Sequence, residues 1–233
     1  MENSKDALRI LSINAWRVSG ARFNAVRRLR KRDWFSTFSI ALFSAIALGI
    51  AATQKIFVFP PGAQIDNYLT ALSAFIGLFV LVISLIEAGE QSLVKAERLE
   101  TNANDLRNFM LKVNFRLAAS ADGEPLTYAE IDRLRQTYQE IIRSCPYNHA
   151  PMDDDLFVAK NRADPRWITK KLLSRLCEDD KTTSKPDIGK TKPKMTSIRA
   201  YWVLLISPLS GIGYFLLFWL VIAALITLTI QRY

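Results

Sequence analysis

Two uncharged apolar stretches near the start of the chain constrain its fold more than any other feature. Residues 35–54 and 67–86 contain no Asp, Glu, Lys or Arg. Each is close to the ~20 residues that a helix needs to cross a bilayer core of about 30 Å. A third uncharged run covers residues 200–231. These stretches predict a membrane protein rather than a soluble globular enzyme, and a hydrophobic content of 50% argues against a disordered chain.

A short turn separates the first two stretches and contains Pro60, Pro61 and Gly62, which stop a helix and reverse the chain. Residues 1–33 carry nine Lys and Arg against three acidic residues, whereas the turn is balanced. Because Lys and Arg are enriched in short cytoplasmic flanks, we expect a hairpin with both ends inside and the turn outside. No cleavable signal is visible, so we expect the first stretch to remain as a membrane helix.

The polar part of the chain shows helical rather than alternating periodicity, so the predicted fold class is all-α. We expect a transmembrane helical hairpin, a cytoplasmic helical region and a C-terminal apolar helix. The predicted segments are a basic amphipathic cytoplasmic helix (1–33), the hairpin (34–87), the cytoplasmic helical region (88–180), a basic linker (181–199) and a C-terminal hydrophobic segment (200–233). Cys145 and Cys177 are the only cysteines. Two cysteines do not make a disulfide framework, and they fit a reducing cytoplasm.

Two features of these segments leave alternatives open. Residues 87–119 are predicted to form one long helix, along which apolar residues recur at alternating spacings of four and three positions. This apolar seam packs either inside the subunit or between subunits. Its members are Leu99, Ala103, Leu106, Met110, Val113 and Leu117. The C-terminal segment is interrupted by Pro208 and Gly211. We expect it to span the membrane, and the alternatives are a re-entrant segment or a helix packed between subunits.

Small side chains recur along the predicted spans at helical spacing. The first span has a ridge with one such residue every four positions, and the second has a matching pair. In lipid, helices associate through close packing of small residues rather than through a hydrophobic drive. The ridge therefore packs the two hairpin helices together, joins subunits, or lines a pore. The residues concerned are Thr37, Ala41, Ala45, Gly49 and Thr53, with Ser44 for a pore, and Ser73 with Gly77 in the second span.

A basic cluster lies just before the first span. Its members are Arg27, Arg28, Arg30, Lys31 and Arg32. The interpretation we favour is a topology signal that holds this side in the cytoplasm. Binding of anionic lipid or of nucleic acid are the alternatives.

The sequence offers little for catalysis, so we predict that the protein is not an enzyme and that it needs no metal or cofactor. The single histidine, His149, lies near Cys145 and Asp153, but a catalytic zinc site needs three protein ligands. A structural or hydrogen-bonding role is expected for His149. The run Asp153-Asp154-Asp155 lacks the spacing of a calcium loop and predicts a solvated acidic turn or helix start. Phosphate-binding glycine loops and nucleophile elbows are absent.

Several local motifs together resemble the SLATT family of bacterial two-span membrane effectors, and its fifth subfamily in particular. The resemblance covers about residues 6–180. It rests on Arg-Arg-Leu-Arg at 27–30, Trp-Phe-Ser-Thr at 34–37, the Pro-Pro-Gly turn at 60–62, Tyr138, and Pro-Tyr-Asn-His at 146–149. The third apolar stretch departs from the two spans of that family.

The resemblance implies a role in defence against phage, at the bacterial inner membrane, with most of the polar region in the cytoplasm. Such proteins form the killing arm beside a neighbouring-gene sensor, a nucleotide-signal synthase or a reverse transcriptase. The leading hypothesis is an oligomeric effector that disrupts the bilayer. Asn148, His149 and Asp153 would then belong to a signal-receiving or structural loop.

The alternative function is a membrane-anchored scaffold that recruits a nucleic acid or nucleoprotein partner. It would use the nine basic residues of 1–33 and the twelve of 160–199. A small-ion transporter is a weaker hypothesis, because transport sites often retain a charge within the spans and these spans have none.

Overall fold

The computed structural model describes residues 2–57, 63–122, 124–166 and 201–203, with seven positions between 213 and 227. Five helices follow one another: α1 (Glu2–Ile56), α2 (Gln64–Glu90), α3 (Ser92–Ala121), α4 (Tyr128–Ser144) and α5 (Pro151–Lys160). No strand occurs in these described ranges, so the all-α prediction is confirmed. Residues 167–180 of the predicted cytoplasmic helical region and the predicted linker 181–199 lie outside the described residues.

Helix α1 is continuous across the predicted cytoplasmic helix and the first predicted span. It also passes through Gly20 without interruption. A glycine in a helix interior costs about 1 kcal/mol relative to alanine. At this glycine the ring of Phe157 packs against the helix backbone, as described below.

The helix that contains the second predicted span does not continue unbroken into the polar region that follows it. Gln91 adopts the left-handed conformation, with φ 48° and ψ 46°, and its N–H donates to the carbonyl of Glu87 at 3.2 Å. This residue ends α2, and α3 begins at Ser92. The prediction of one uninterrupted helix over residues 87–119 was therefore wrong at this point. The signal is weak in sequence because glycine or asparagine, and not glutamine, is the usual residue in this conformation.

Two helix starts are fixed by side chains. Thr127 accepts a hydrogen bond from the N–H of Glu130 at 3.4 Å and caps α4. The carboxylate of Glu130 binds Arg116 rather than returning to the cap, and this ion pair lowers the pKa of Glu130. Pro151 begins α5, and Asp153 accepts from the N–H of Ala150 at 2.9 Å.

The chain forms two compact units, which we call the helical unit (Met1–Arg27 with Lys95–Pro208) and the hairpin unit (Arg28–Val94 with Leu209–Tyr233). The core of the helical unit joins α1, α3 and α4 through Leu8, Ala15, Phe109, Val113 and Leu134. The seam on α3 therefore packs inside the subunit, as one of the two alternatives proposed. The predicted domain boundaries stay predictions.

In the hairpin unit, α1 and α2 pack through large apolar side chains, namely Phe43, Leu72, Ile76, Phe79 and Ile83. The rings of Phe43 and Phe79 meet edge to face with centroids 5.3 Å apart. Two helical segments, Ser4–Ile56 and Gln64–Ala121, are long and apolar enough to cross a membrane by length and composition. In the most apolar 18-residue stretch of each segment, only 17% and 22% is buried inside the structure. A core helix of a soluble protein would be mostly buried.

Candidate functional site

The small-residue ridge of the first span lies on the exposed side of α1. Its five members are all solvent-accessible in the monomer, and Leu48 beside them is 72% exposed. The face of α1 that packs against the rest of the hairpin unit is instead formed by Ser36, Ser39 and Phe43, each at most 2% exposed. The ridge consists of Thr37, Ala41, Ala45, Gly49 and Thr53.

Gly49 and Gly77, the two glycines among the small residues of the predicted spans, have free space where a side chain would be. A Cβ atom built on Gly49 or on Gly77 meets no atom within 4 Å. Ser44 and Ser73 are half-buried. Within the described residues, aromatic and aliphatic side chains form the contact between α1 and α2, so packing of the hairpin through the ridge stays an untested prediction. Assembly of subunits and a pore lining remain predictions for this surface.

One residue of the C-terminal segment contacts the hairpin. Trp219 has its ring centroid 5.2 Å from that of Phe43 and is stacked on Phe38 at 6.3 Å with an interplanar angle of 1°. Its indole Nε1 donates to the hydroxyl of Ser39 at 3.2 Å. Ser39 in turn donates to the carbonyl of Phe35 at 2.7 Å. Most of the predicted segment 200–233 lies outside the described residues.

The basic cluster is divided by the fold. Arg32 is largely buried and pairs with Glu87 at 3.2 Å and with Glu90, both on α2. Sequence patterns do not predict this ion pair, because its two residues are 55 positions apart and meet only in the antiparallel hairpin. Arg27, Arg30 and Lys31 are exposed and Arg28 is half-buried. Their roles as topology signal, lipid contact or nucleic-acid contact stay predictions.

The acidic run lies at the start of α5, as one of the two expected alternatives, but its first two carboxylates are buried rather than solvated. Asp153 is 2% exposed and Asp154 is 7% exposed. Arg17 donates from Nε and Nη2 to the two carboxylate oxygens of Asp154, at 2.8 and 2.7 Å. The same hydrogen bonds raise the pKa of Arg17. Asn24 donates to the backbone carbonyl of Asp153 at 3.0 Å, so the acidic run docks α5 onto α1.

An aromatic contact next to this ion pair was also missed. The ring of Phe157 lies so close to α1 that a Cβ on Gly20 would be 1.9 Å from its Cε2 atom. Trp16 meets the same ring edge to face at 4.7 Å, and the guanidinium of Arg166 lies 3.8 Å from the centroid of the Trp16 ring. An isolated glycine in a helical pattern is the one sequence signal that indicated a close approach here.

The loop before α5 holds a second cluster of polar groups. His149 is half-buried, with a buried Nδ1 atom that has no hydrogen-bond partner among the described residues. Asn148 is exposed, and its Oδ1 accepts from the N–H of His149 at 2.9 Å. The thiol of Cys145 lies 3.3 Å from the carbonyl of Tyr147. No group of three or more His, Cys, Asp or Glu that could hold a metal occurs in the described part of the chain.

Arg22 belongs to the same cluster and was not singled out from the other basic residues of α1. It is 3% exposed, and its Nε and Nη1 atoms have no hydrogen-bond partner in the described ranges. Burial lowers the pKa of Arg22, and the nearby Cys145 and Tyr138 oppose this effect. Nothing in the local pattern distinguishes a buried arginine from an exposed one.

The burial of His149 predicts a pH-dependent stability. Loss of hydration lowers its pKa below the ordinary value of 6.5, with Arg22 and Arg17 adding to the effect and Asp154 and Asp153 opposing it. The unfolded chain therefore binds more protons just below pH 6.5, and stability is lost as the pH falls through that value. We expect the melting temperature of the detergent-solubilised protein to fall between about pH 7.5 and pH 5.5.

The matched variant for this measurement is His149→Gln, which cannot take up the proton. Its melting temperature is expected to change less over the same interval. The carboxylates of Glu130 and Asp164, which have lowered pKa values, titrate only at more acidic pH and do not interfere. An equal pH slope in both proteins would show that His149 is not the group responsible.

Comparison with known proteins agrees with the helical hairpin and with the resemblance found in the sequence. The model of SMODS and SLOG-associating 2TM effector domain family 5 matches residues 4–230. No curated protein and no solved structure matches the chain. Membership implies a membrane-located effector role in defence against phage, and effector domains of this family are not known as enzymes. The chain therefore belongs to SMODS and SLOG-associating 2TM effector domain family 5, the fifth SLATT family.

Proposed function

We propose that the protein oligomerises in the bacterial inner membrane and permeabilises it when a partner activates it. The observation that carries this proposal is the exposed small-residue ridge of α1. Among the described residues, no helix of the same subunit is packed through this ridge, so it is available to another copy. Gly49 and Gly77 allow close backbone approach because no atom lies within 4 Å of their Cβ positions.

The need for more than one copy follows from geometry. Two helices that pack through Phe43, Ile76 and Phe79 leave no room for water between them. A water-filled path therefore requires several hairpins, with small polar groups such as Ser44 and Ser73 turned toward it. Trp219 lies beside the first span, where it contacts Phe38, Phe43 and Ser39.

The helical unit is the proposed receiver of the activating signal. The family description associates these effectors with SMODS and SLOG proteins. We infer a partner encoded nearby, either a nucleotide-signal synthase, a sensor or a reverse transcriptase. The basic residues before the first span support an orientation with the helical unit in the cytoplasm.

The scaffold alternative is weakened by the burial of basic residues. Arg22 is 3% exposed, Arg17 is paired with Asp154, and Arg32 is paired with Glu87. These three of the nine basic residues in 1–33 do not form an open surface for nucleic acid. Salt-sensitive binding of RNA or DNA by the purified full-length chain would favour the alternative.

Membrane potential in living cells tests the proposal. We expect depolarisation within minutes when the protein and its activating partner are expressed together, and no change with either alone. A voltage-sensitive dye provides the readout, and growth is followed in parallel. Growth arrest with an unchanged potential would contradict permeabilisation.

A further inference from the structure

Arg22 is a buried cation of the helical unit that has no carboxylate partner among the described residues. Arg22 is 3% exposed, and its Nε and Nη1 donors are satisfied by no described residue. The side chains that influence its charge most are Cys145, with which it shares a hydrogen bond, and Tyr138, and neither is a carboxylate. By contrast, Arg17 on the same helix donates two hydrogen bonds to Asp154. A buried charge with two unsatisfied donors destabilises a fold, so Arg22 calls for a functional explanation.

A second unsatisfied group lies in the same cluster. The Nδ1 atom of His149 is buried without a partner in the described ranges, and Arg22 is close enough to influence its protonation. Cys145 and His149 are half-buried and Asn148 is exposed, so the loop connects the buried arginine with the protein surface. The carboxylates nearest His149 are engaged, since Asp154 pairs with Arg17 and Asp153 caps α5.

An anion with several acceptor oxygens fits these donors. We propose that Arg22 and His149 bind the phosphate group of a small molecule. A guanidinium and an imidazole N–H can donate to different oxygens of one phosphate, and bonds to a charged acceptor are stronger than neutral ones. A nucleic-acid strand fits this site less well than a small molecule. Proteins usually bind such strands along an extended, exposed groove of basic residues, and Arg22 is buried. The inference does not depend on whether the protein permeabilises membranes.

Binding by the full-length chain in detergent tests the site. The probes are inorganic phosphate and AMP, each compared with chloride at matched ionic strength. Isothermal titration and thermal unfolding give affinity and stabilisation. The variants are Arg22→Gln and His149→Gln, and the matched control is Arg107→Gln, an exposed arginine on α3 in the same unit.

We expect at least one probe to bind the wild type and Arg107→Gln and to raise their melting temperatures. Arg22→Gln and His149→Gln should bind that probe at least about tenfold more weakly. Without a probe, Arg22→Gln should melt no lower than the wild type, because it removes an unpaired buried charge. Binding of AMP alone would identify a nucleotide as the source of the phosphate, and binding of both probes would identify the phosphate group itself as sufficient.

Three results would overturn the proposal. The first is no binding of either probe to the wild type. The second is equal binding to Arg22→Gln, His149→Gln and Arg107→Gln, which would place any phosphate elsewhere. The third is binding of a short RNA or DNA strand with neither probe bound. If Arg22→Gln does not fold, His149→Gln decides between these outcomes.

Discussion

Replacing Gly20 with valine is expected to destabilise the helical unit by about 3 kcal/mol. A Cβ at this position would lie 1.9 Å from Cε2 and 2.2 Å from Cδ2 of Phe157, so either the ring or α1 must move. The ring is 8% exposed and packs against Trp16, and it therefore cannot turn aside without losing buried contacts. Overfilling a packed site usually costs 1–3 kcal/mol, and a close approach to backbone lies at the upper end.

Thermal unfolding by circular dichroism measures the loss, and hydrogen exchange of the α5 amides locates it. Gly89→Val is the matched control, because this glycine is also helical and no atom lies within 4 Å of its Cβ position. The double variant Gly20→Ala with Phe157→Leu should recover part of the stability lost in Gly20→Ala, since the smaller side chain makes room. If Gly20→Val and Gly89→Val were equally stable, the packing of Phe157 on α1 would not matter.

Replacing Gly49 or Gly77 with leucine is expected to abolish killing by the activated protein, with survival rising by orders of magnitude. Neither position has an atom of a described residue within 4 Å of its Cβ site, so the new side chain meets none of the described packing of its own subunit. Leucine also favours a lipid environment, and insertion is preserved. What it prevents is the close backbone approach on which small-residue association depends.

Colony counts with the partner expressed give the loss of killing, and cross-linking in membranes reports assembly. Ala51→Leu is the control: it is exposed on α1 and lies two residues from Gly49, about 200° around the helix. Equal amounts of each variant in the membrane fraction exclude an insertion defect. Full killing by both glycine variants, with unchanged cross-linking, would rule out the ridge as the contact between copies.

The hairpin and the all-α class could be predicted from the sequence because they depend on local quantities. Residues 35–54 and 67–86 lack charge, and the free energy of placing such a stretch in lipid depends on its own composition. The cap at Thr127 depends on a neighbour three positions along the chain and is likewise a local feature. The family resemblance rested on short motifs of the same kind.

Only the tertiary structure decided which faces are buried and which groups meet. Phe43 and Phe79 fill the hairpin interface, and this leaves the ridge around Gly49 exposed, although the spacing of the ridge suited either arrangement. Arg17 reaches Asp154 across 137 residues, and the burial of Arg22 follows from the same folding of the chain. Such pairings depend on how distant helices dock. Composition and periodicity describe one helix at a time. They therefore predict the two apolar helices of the hairpin, but they do not predict which distant residue a charged side chain will meet.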